Sequence, residues 1–168
     1  MHWSIHVGDL LDVPADVLVL SANVYLNLSG GVGGAFALRY GPAMQEALHA
    51  WLAERNLRHV PPGNVITMPP LGSPYRAVLH AVGVNAMYET SPQLVGEVID
   101  KSLQMAAASG ATTVALAAIG TGYGRLSMDQ FATALEKAVT KNWPPLRTVF
   151  IGLRREEDAQ ELAKSLSD

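Results

Sequence analysis

The clearest fold signal in this chain is the segment VLVLSANVYLNLSGGVGGAFALRY at residues 17–40. It begins with the short apolar run Val17–Leu20, continues through a glycine-rich loop and ends in a helical pattern near Ala35–Tyr40. A short, continuous apolar run is typical of a strand that is covered on both faces of a sheet. The order of strand, glycine loop and helix therefore predicts one unit of an α/β protein.

The same order recurs later in the chain. The apolar run Val114–Ile119 is followed by GTGYGR at residues 120–125 and by a helix pattern that Ser127 and Gln130 can cap. In an open parallel sheet, such loops meet in the crevice beyond the carboxyl ends of the strands. Glycine allows a positive φ, and successive main-chain N–H groups form an anion nest. We therefore expect two facing loops that bind a diphosphate through the main chain.

Strand and helix patterns alternate through the rest of the chain. Trp3, Ile5 and Val7 alternate with polar residues, as in an opening strand with one wetter face. Two further apolar runs predict strands at residues 78–82 and 149–153, and helix spacing occurs at residues 44–52, 94–106, 131–138 and 159–166. The alternation predicts a three-layer α/β/α sandwich with a mostly parallel, mixed central sheet, in a single domain at residues 1–168.

The composition excludes several classes of protein. The 168 residues are 49% hydrophobic and 16% charged, which disfavours disorder, and a formal net charge of −3 provides no strong basic patch for nucleic acid. Cysteine is absent, so disulfides, thiolate metal sites and thiol nucleophiles are excluded. No apolar run reaches the roughly 18 residues of a spanning helix, and the N-terminus does not resemble a signal peptide. We expect a soluble cytoplasmic protein with no membrane partner.

The residue types that are absent from the two loops argue against two common kinds of phosphate-binding loop. Neither loop contains the Lys and adjacent Ser or Thr of a P-loop, and neither matches the dinucleotide fingerprint G-x-G-x-x-G. The loops therefore indicate a phosphate that is bound by the backbone, without phosphoryl transfer. The alternative is that both loops are only tight turns, but two glycine loops at equivalent positions in the fold favour a ligand.

Four segments together resemble the macro domain family, whose three-layer α/β fold binds ADP-ribose and related nucleotides. They are GDLLDVPADVLVLSAN at residues 8–23, SGGVGGAFALRYG at residues 29–41, VLHAVG at residues 78–83 and AIGTGYG at residues 118–124. Each motif is weak alone, but their joint order and spacing cover nearly the whole chain. The resemblance implies the same fold and an ADP-ribose site.

The resemblance also implies roles at the adenine end of that site. Asp9 accepts a hydrogen bond from the exocyclic amine of adenine, with the main chain of Leu10 beside it. Leu153 or Arg154 flanks the ring, and an Arg plane can stack on a purine. The alternative for Asp9 is a turn residue after the first strand, since Gly-Asp is common in turns.

At the other end, the resemblance assigns Asn23 to the distal ribose, although Asn23 could equally be a turn or cap residue. The first loop is expected to wrap that ribose and a phosphate through Gly31, Val32 and Gly33. The second loop is expected to hold the diphosphate, with Tyr123 as a lid, through Gly120, Thr121, Gly122, Tyr123 and Gly124.

Departures from the family pattern bear on catalysis. Leu20 stands where many members have the first of two Asn residues, and Gly33 stands where one hydrolase branch has an Asp that activates water. A second branch uses a Lys nucleophile and an Asp, but residues 80–83 contain no Lys and the Asp position is Gly124. No catalytic residue is therefore identified, and Asn23 is the candidate for positioning water.

His80 and the remaining titratable residues do not change this conclusion. His80 lies within an apolar strand pattern and is interpreted as a core residue with satisfied hydrogen bonds. No metal site is expected, because zinc-dependent relatives need Cys. No cofactor is expected either.

The leading hypothesis is a domain that binds ADP-ribose, free or attached to protein or nucleic acid. The first alternative is an ADP-ribosyl hydrolase whose water is positioned by Asn23 and the substrate phosphate. The second alternative is a module for another nucleotide or for RNA, which the acidic charge balance disfavours.

Overall fold

The computed structural model of the chain describes residues 1–167. Its six strands are β1 His2–Val7, β2 Val17–Ala22, β3 Val65–Met68, β4 Ala77–Val82, β5 Thr113–Ala117 and β6 Thr148–Leu153. Its five α-helices are α1 Gly31–Tyr40, α2 Ala43–Glu54, α3 Pro92–Ala108, α4 Met128–Val139 and α5 Glu156–Ser165, and a 3-10 turn spans Leu10–Asp12.

All six strands form one sheet in the order β1-β6-β5-β2-β4-β3. Every neighbouring pair is parallel except β3 and β4, which are antiparallel. The predicted mixed, mostly parallel sheet is therefore confirmed. The two strands that precede the glycine loops, β2 and β5, are direct neighbours, with Val17 opposite Val114. Both loops consequently leave the sheet side by side, at the carboxyl ends of these two strands.

Helices cover both faces of the sheet, as predicted for three layers. The 3-10 turn, α1 and α2 pack on the face that receives Leu18 and Leu20 of β2. Helices α3, α4 and α5 pack on the opposite face, which receives Val17 and Val19. Because successive side chains of a strand point to opposite faces, a strand buried on both sides needs a continuous apolar run. The run at Val17–Leu20 meets that requirement.

Side-chain caps fix the starts of two of the five helices. Ser127 and Gln130 form the predicted capping box at the start of α4, and Ser91 caps α3 ahead of Pro92. Helix α1 begins at Gly31, four residues earlier than its apolar pattern indicates. Glycines in its first turn carry no side chain, so they hide the helical periodicity there.

Strand β3 has no counterpart in the predicted elements. It contains only four residues, Val65–Met68, and lies at the edge of the sheet. A pattern of that length is too short to be distinguished from a loop by periodicity. Among residues 1–167, no helix combines the length and the apolar character needed to cross a bilayer.

Candidate functional site

The two glycine loops line one cleft of about 820 Å³ at the carboxyl ends of β2 and β5. A cleft of this volume suits a small-molecule ligand. The ends of the two strands contribute Ser21, Ala22, Ala117 and Ala118. The lining also contains ten of the residues expected at the site, namely Asn23, Gly31, Val32, Gly33, Gly120, Thr121, Gly122, Tyr123, Gly124 and Arg154.

Helix α1 starts inside the cleft. Gly30 precedes it with a φ of +66°, a left-handed conformation that favours glycine. Gly31, Val32 and Gly33 form the first turn of the helix and line the cleft. The N–H groups of a first helical turn have no partner within the helix, and they attract anions. The first loop therefore offers main-chain donors to a phosphate.

Asn23 shapes the first loop. Its Oδ1 accepts hydrogen bonds from the main-chain N–H groups of Tyr25, at 3.0 Å, and Asn27, at 3.1 Å. Its Nδ2 donates to the carbonyl oxygen of Asn27 at 3.2 Å. Asn23 lines the cleft, but its amide is already committed to the turn. This geometry matches the turn role left open for Asn23.

Helix α2 anchors the first loop from behind. Gln45 accepts from the N–H of Leu28 at 2.6 Å and donates to the carbonyl oxygen of Leu26 at 3.0 Å. His49, one turn further along α2, lies 2.9 Å from the amide oxygen of Asn27. Sequence reasoning missed Asn27, Gln45 and His49. The available signal was the pair of polar residues at i and i+4 on α2.

The second loop depends on glycine at its two ends. Gly120 has a φ of +83°, and a Cβ there would lie 2.7 Å from Val95. A Cβ at Gly124 would lie 2.7 Å from the carbonyl oxygen of Gly120 and 2.7 Å from Thr90. Gly122, between them, has open space around it. The loop is thus folded tightly at its ends while its middle faces the cleft.

Tyr123 stands at the mouth of the cleft with 62% of its surface exposed. Its ring packs against Tyr88, from the loop between β4 and α3, with centroids 5.1 Å apart. Tyr88 also lines the cleft and was missed by sequence reasoning. The two rings form an aromatic pair over the opening.

Asp9 and Leu10, expected at the adenine end, are not among the residues that line the cleft. The Asp9 carboxylate accepts from the N–H of Leu11 at 2.9 Å and forms an ion pair with Arg39 at 2.9 Å. Leu10 is buried, and a Cβ on Gly152 would come within 2.8 Å of its side chain. Since Gly152 lines the cleft and Leu10 does not, Leu10 packs behind the cleft wall at Gly152.

The charged residues of the cleft all lie at the β6–α5 side, where Arg154, Arg155, Asp158 and Glu161 contribute to the lining. Arg155 forms a two-pronged ion pair with Asp158, through hydrogen bonds of 3.0 and 2.8 Å. These hydrogen bonds lower the pKa of the Asp158 carboxyl. Neither glycine loop brings an Asp, Glu, His or Lys into the cleft. Within residues 1–167, no group of three His, Asp or Glu residues is placed to hold a metal ion.

His80 lies in the core, as interpreted, but its hydrogen bonding differs from expectation. It is 0% exposed, and neither ring nitrogen has a hydrogen-bond partner in the described part of the chain. Burial lowers the pKa of His80 to about 4. His80 does not line the cleft. It is therefore a neutral core residue.

Comparisons with known proteins agree with this architecture. The family model described as Macro domain matches residues 19–135. An O-acetyl-ADP-ribose deacetylase of Citrobacter rodentium is 31% identical over 159 residues, covering 90% of this chain and 89% of the relative. An uncharacterised protein of Pyrobaculum aerophilum is 32% identical over 142 residues, covering 84% of this chain and 76% of its own.

A solved structure shows the same fold. A mutant of the Oceanobacillus iheyensis macrodomain, with ADPR, superimposes with a TM-score of 0.86 at 24% identity. The match covers 97% of this chain and 90% of the other. Both glycine loops begin within the residues that the family model matches. With the sheet order, the loop pair and the family match in agreement, this chain belongs to the macro domain family.

Proposed function

We propose that this protein binds ADP-ribose, free or attached to protein or nucleic acid. The observation that carries the proposal is the placement of two glycine loops on adjacent strands, β2 and β5, around one cleft of about 820 Å³. Main-chain N–H groups are strong donors for a diphosphate at such a site. The ADPR-bound Oceanobacillus iheyensis macrodomain, which shares the fold, supports the same ligand class.

In this proposal the diphosphate lies between the start of α1 and the second loop. The donors are the N–H groups of Gly31–Gly33 and of Gly120, Gly122, Tyr123 and Gly124, with Tyr123 covering them from the solvent side. The N–H of Thr121 is bonded to the carbonyl oxygen of Ala118 at 3.2 Å and is not among them. The adenine lies toward Arg154. Two arginines line the cleft, and Arg155 is paired with Asp158, whereas Arg154 forms no ion pair among residues 1–167. The distal ribose lies toward Asn23 and Gly33.

Calorimetry with ADP-ribose, ADP and AMP tests the proposal. We expect ADP-ribose to bind most tightly and AMP most weakly, because AMP lacks one of the two phosphates. The absence of binding heat from ADP-ribose at high micromolar concentration would contradict the proposal.

Gly122 offers a sharp variant for the same test, because it lines the cleft and a side chain there meets no other atom within 4 Å. Gly122→Asp places a carboxylate beside the diphosphate and should weaken ADP-ribose binding by about tenfold or more through charge repulsion. Gly122→Asn has the same shape without the charge and is the matched control. Equal losses in both variants would place the diphosphate elsewhere.

Hydrolysis of an ADP-ribose derivative is the second candidate function. The relatives named O-acetyl-ADP-ribose deacetylase favour it. The geometry favours binding instead, because the Asn23 amide is occupied by Tyr25 and Asn27 and the glycine loops bring no general base into the cleft. A single-turnover assay on O-acetyl-ADP-ribose, with protein in excess, separates the two. Persistence of the substrate eliminates hydrolysis for that compound, and its loss would require a base that we have not identified.

A further inference from the structure

The first glycine loop carries a polar side chain that its own turns do not use. Asn27 lines the cleft, and its main-chain N–H and carbonyl group are both bonded to the side chain of Asn23, at 3.1 and 3.2 Å. The side chain of Asn27 takes no part in those two bonds. Its removal therefore leaves the turn intact.

His49 orients that side chain. Nε2 of His49 lies 2.9 Å from the side-chain amide of Asn27 and 3.0 Å from Nε2 of Gln45. The Gln45 amide is itself fixed by bonds to the main chain of Leu26 and Leu28. The α2 side of the loop is thus a fixed support for Asn27.

This arrangement leaves one polar atom of the Asn27 amide unused. One of its two polar atoms faces His49, and the other has no hydrogen-bond partner among residues 1–167. Asn27 is exposed and belongs to the lining of the cleft, on the same loop as Asn23 and Gly31. The second polar atom of the amide is therefore one that a ligand in this part of the cleft can reach, and a ribose hydroxyl, which both donates and accepts, can pair with it.

We propose that Asn27 is a specificity-determining residue for the distal ribose of the bound nucleotide, and that His49 is its positioning residue. The proposal rests on the proposed function, since it needs ADP-ribose in the cleft with its distal ribose toward the first loop. It adds a side-chain hydrogen bond to the part of the site that holds the distal ribose. It also gives α2, which does not line the cleft, a part in selecting the ligand.

The experiment compares ADP-ribose with ADP, which lacks the distal ribose, by calorimetry. Asn27→Ala should weaken ADP-ribose binding by about tenfold, as for one lost hydrogen bond, with the ADP affinity unchanged. Gln104→Ala removes an exposed side-chain amide from α3, outside the cleft, and should change neither affinity. Thermal unfolding of each variant confirms that the fold is intact.

Two substitutions of His49 test its positioning role. His49→Leu should reproduce the selective loss for ADP-ribose, because the Asn27 amide is no longer held. His49→Gln keeps a side chain that can both donate and accept a hydrogen bond and should restore most of the selectivity. A merely structural role for His49 would weaken both ligands together and lower the melting temperature.

The outcomes separate this inference from the proposed function. If the unmodified protein binds neither nucleotide, both the proposed function and the role of Asn27 fail. If it binds both, and Asn27→Ala changes the two affinities equally or not at all, the role of Asn27 alone fails. A selective loss in Asn27→Ala without any effect of His49→Leu overturns the positioning role of His49.

Discussion

The hydroxyl group of Tyr123 lies against Gly30, so closely that a Cβ at Gly30 would be 2.8 Å from that oxygen. The two residues belong to different glycine loops, and the Tyr123 ring therefore spans the mouth of the cleft. Tyr88 packs on the same ring at a centroid distance of 5.1 Å. The Tyr123 ring consequently packs against an aromatic ring on one side and against a residue without a side chain on the other.

Gly30→Ala should weaken both the fold and, if Tyr123 acts as a lid, the retention of the ligand. The φ of +66° at Gly30 strains any residue with a Cβ, at a cost of about 1–2 kcal/mol in the free energy of unfolding. The added methyl group also displaces the Tyr123 ring, so ADP-ribose should dissociate faster. Urea unfolding measures the first effect, and stopped-flow or surface-based dissociation rates measure the second.

Gly41→Ala is the matched control for that prediction. Gly41 also has a positive φ, of +84°, but a Cβ there has open space around it, and Gly41 does not line the cleft. It should show the same backbone strain without displacing Tyr123. If both variants accelerate dissociation equally, the contact between Tyr123 and Gly30 does not act as a lid.

Gly33 and Gly124, the two positions at which hydrolase branches of the family carry Asp, differ in the space around them. A Cβ at Gly33 would lie 3.5 Å from Leu28, which is ordinary contact, whereas a Cβ at Gly124 would lie 2.7 Å from the carbonyl oxygen of Gly120. Gly33→Asp should fold normally, since an acidic residue suits the first turn of a helix. Gly124→Asp should lose about 1–3 kcal/mol of stability through overpacking.

Two substitutions of Gly33 test whether an Asp at this position can act as a general base. Gly33→Asp should raise the turnover of O-acetyl-ADP-ribose above that of the unmodified protein, and Gly33→Asn, which cannot act as a base, should not. Chemical unfolding and a single-turnover assay are the two measurements. Equal turnover in the Asp and Asn variants would exclude this position as a site for a base.

Local patterns were sufficient to predict the frame of the cleft. Short stretches of sequence indicate the strands β2 and β5, as apolar runs, and the glycine loops that follow them. Parallel strands place such loops together at the carboxyl ends of the sheet. The start of α1 was misplaced because Gly31, Gly33 and Gly34 carry no side chain to show helical periodicity. Strand β3 was missed because four edge residues give no distinct pattern.

Contacts between distant parts of the chain could not be predicted in the same way. Arg39 reaches Asp9, Gln45 bonds the main chain at Leu28, and Tyr88 packs on Tyr123. Each partner is chosen by how helices and loops pack in three dimensions, and no local spacing reports it. The residues missed at the site are those whose role depends on such a partner.

Asp9 and Asp12 share the guanidinium of Arg39, at 2.9 and 3.1 Å. If Asp9 accepts a hydrogen bond from adenine, Asp9→Ala should weaken ADP-ribose binding by about 1–2 kcal/mol. Asp12→Ala removes the other partner of Arg39 but no expected ligand contact, so it should leave the affinity unchanged. Calorimetry with ADP-ribose and its hypoxanthine analogue is the measurement. Equal losses in the two variants would assign the effect to Arg39 and not to adenine.

His80 makes the stability of the fold depend on pH. Burial lowers its pKa from 6.5 to about 4, so the unfolded chain binds a proton that the native protein does not bind. The contribution of the neutral His80 to the free energy of unfolding is therefore full above pH 6.5 and is lost as the pH falls from 6.5 toward 4. Below that range, His80 causes no further change in stability. Linkage gives a loss of about 2–3 kcal/mol between about pH 7.5 and about pH 4.5.

His80→Leu should remove this pH dependence. The residues opposite His80 on the neighbouring strands are Leu20 and Ile66, so an apolar side chain suits the site. The variant should also be more stable than the unmodified protein at neutral pH, because two buried nitrogens without partners are removed. His2→Leu makes the same change at an exposed histidine and is the control. Urea unfolding across the pH range is the measurement. If the free energy of unfolding of His80→Leu falls with pH as steeply as that of the unmodified protein, the acid sensitivity belongs to other groups.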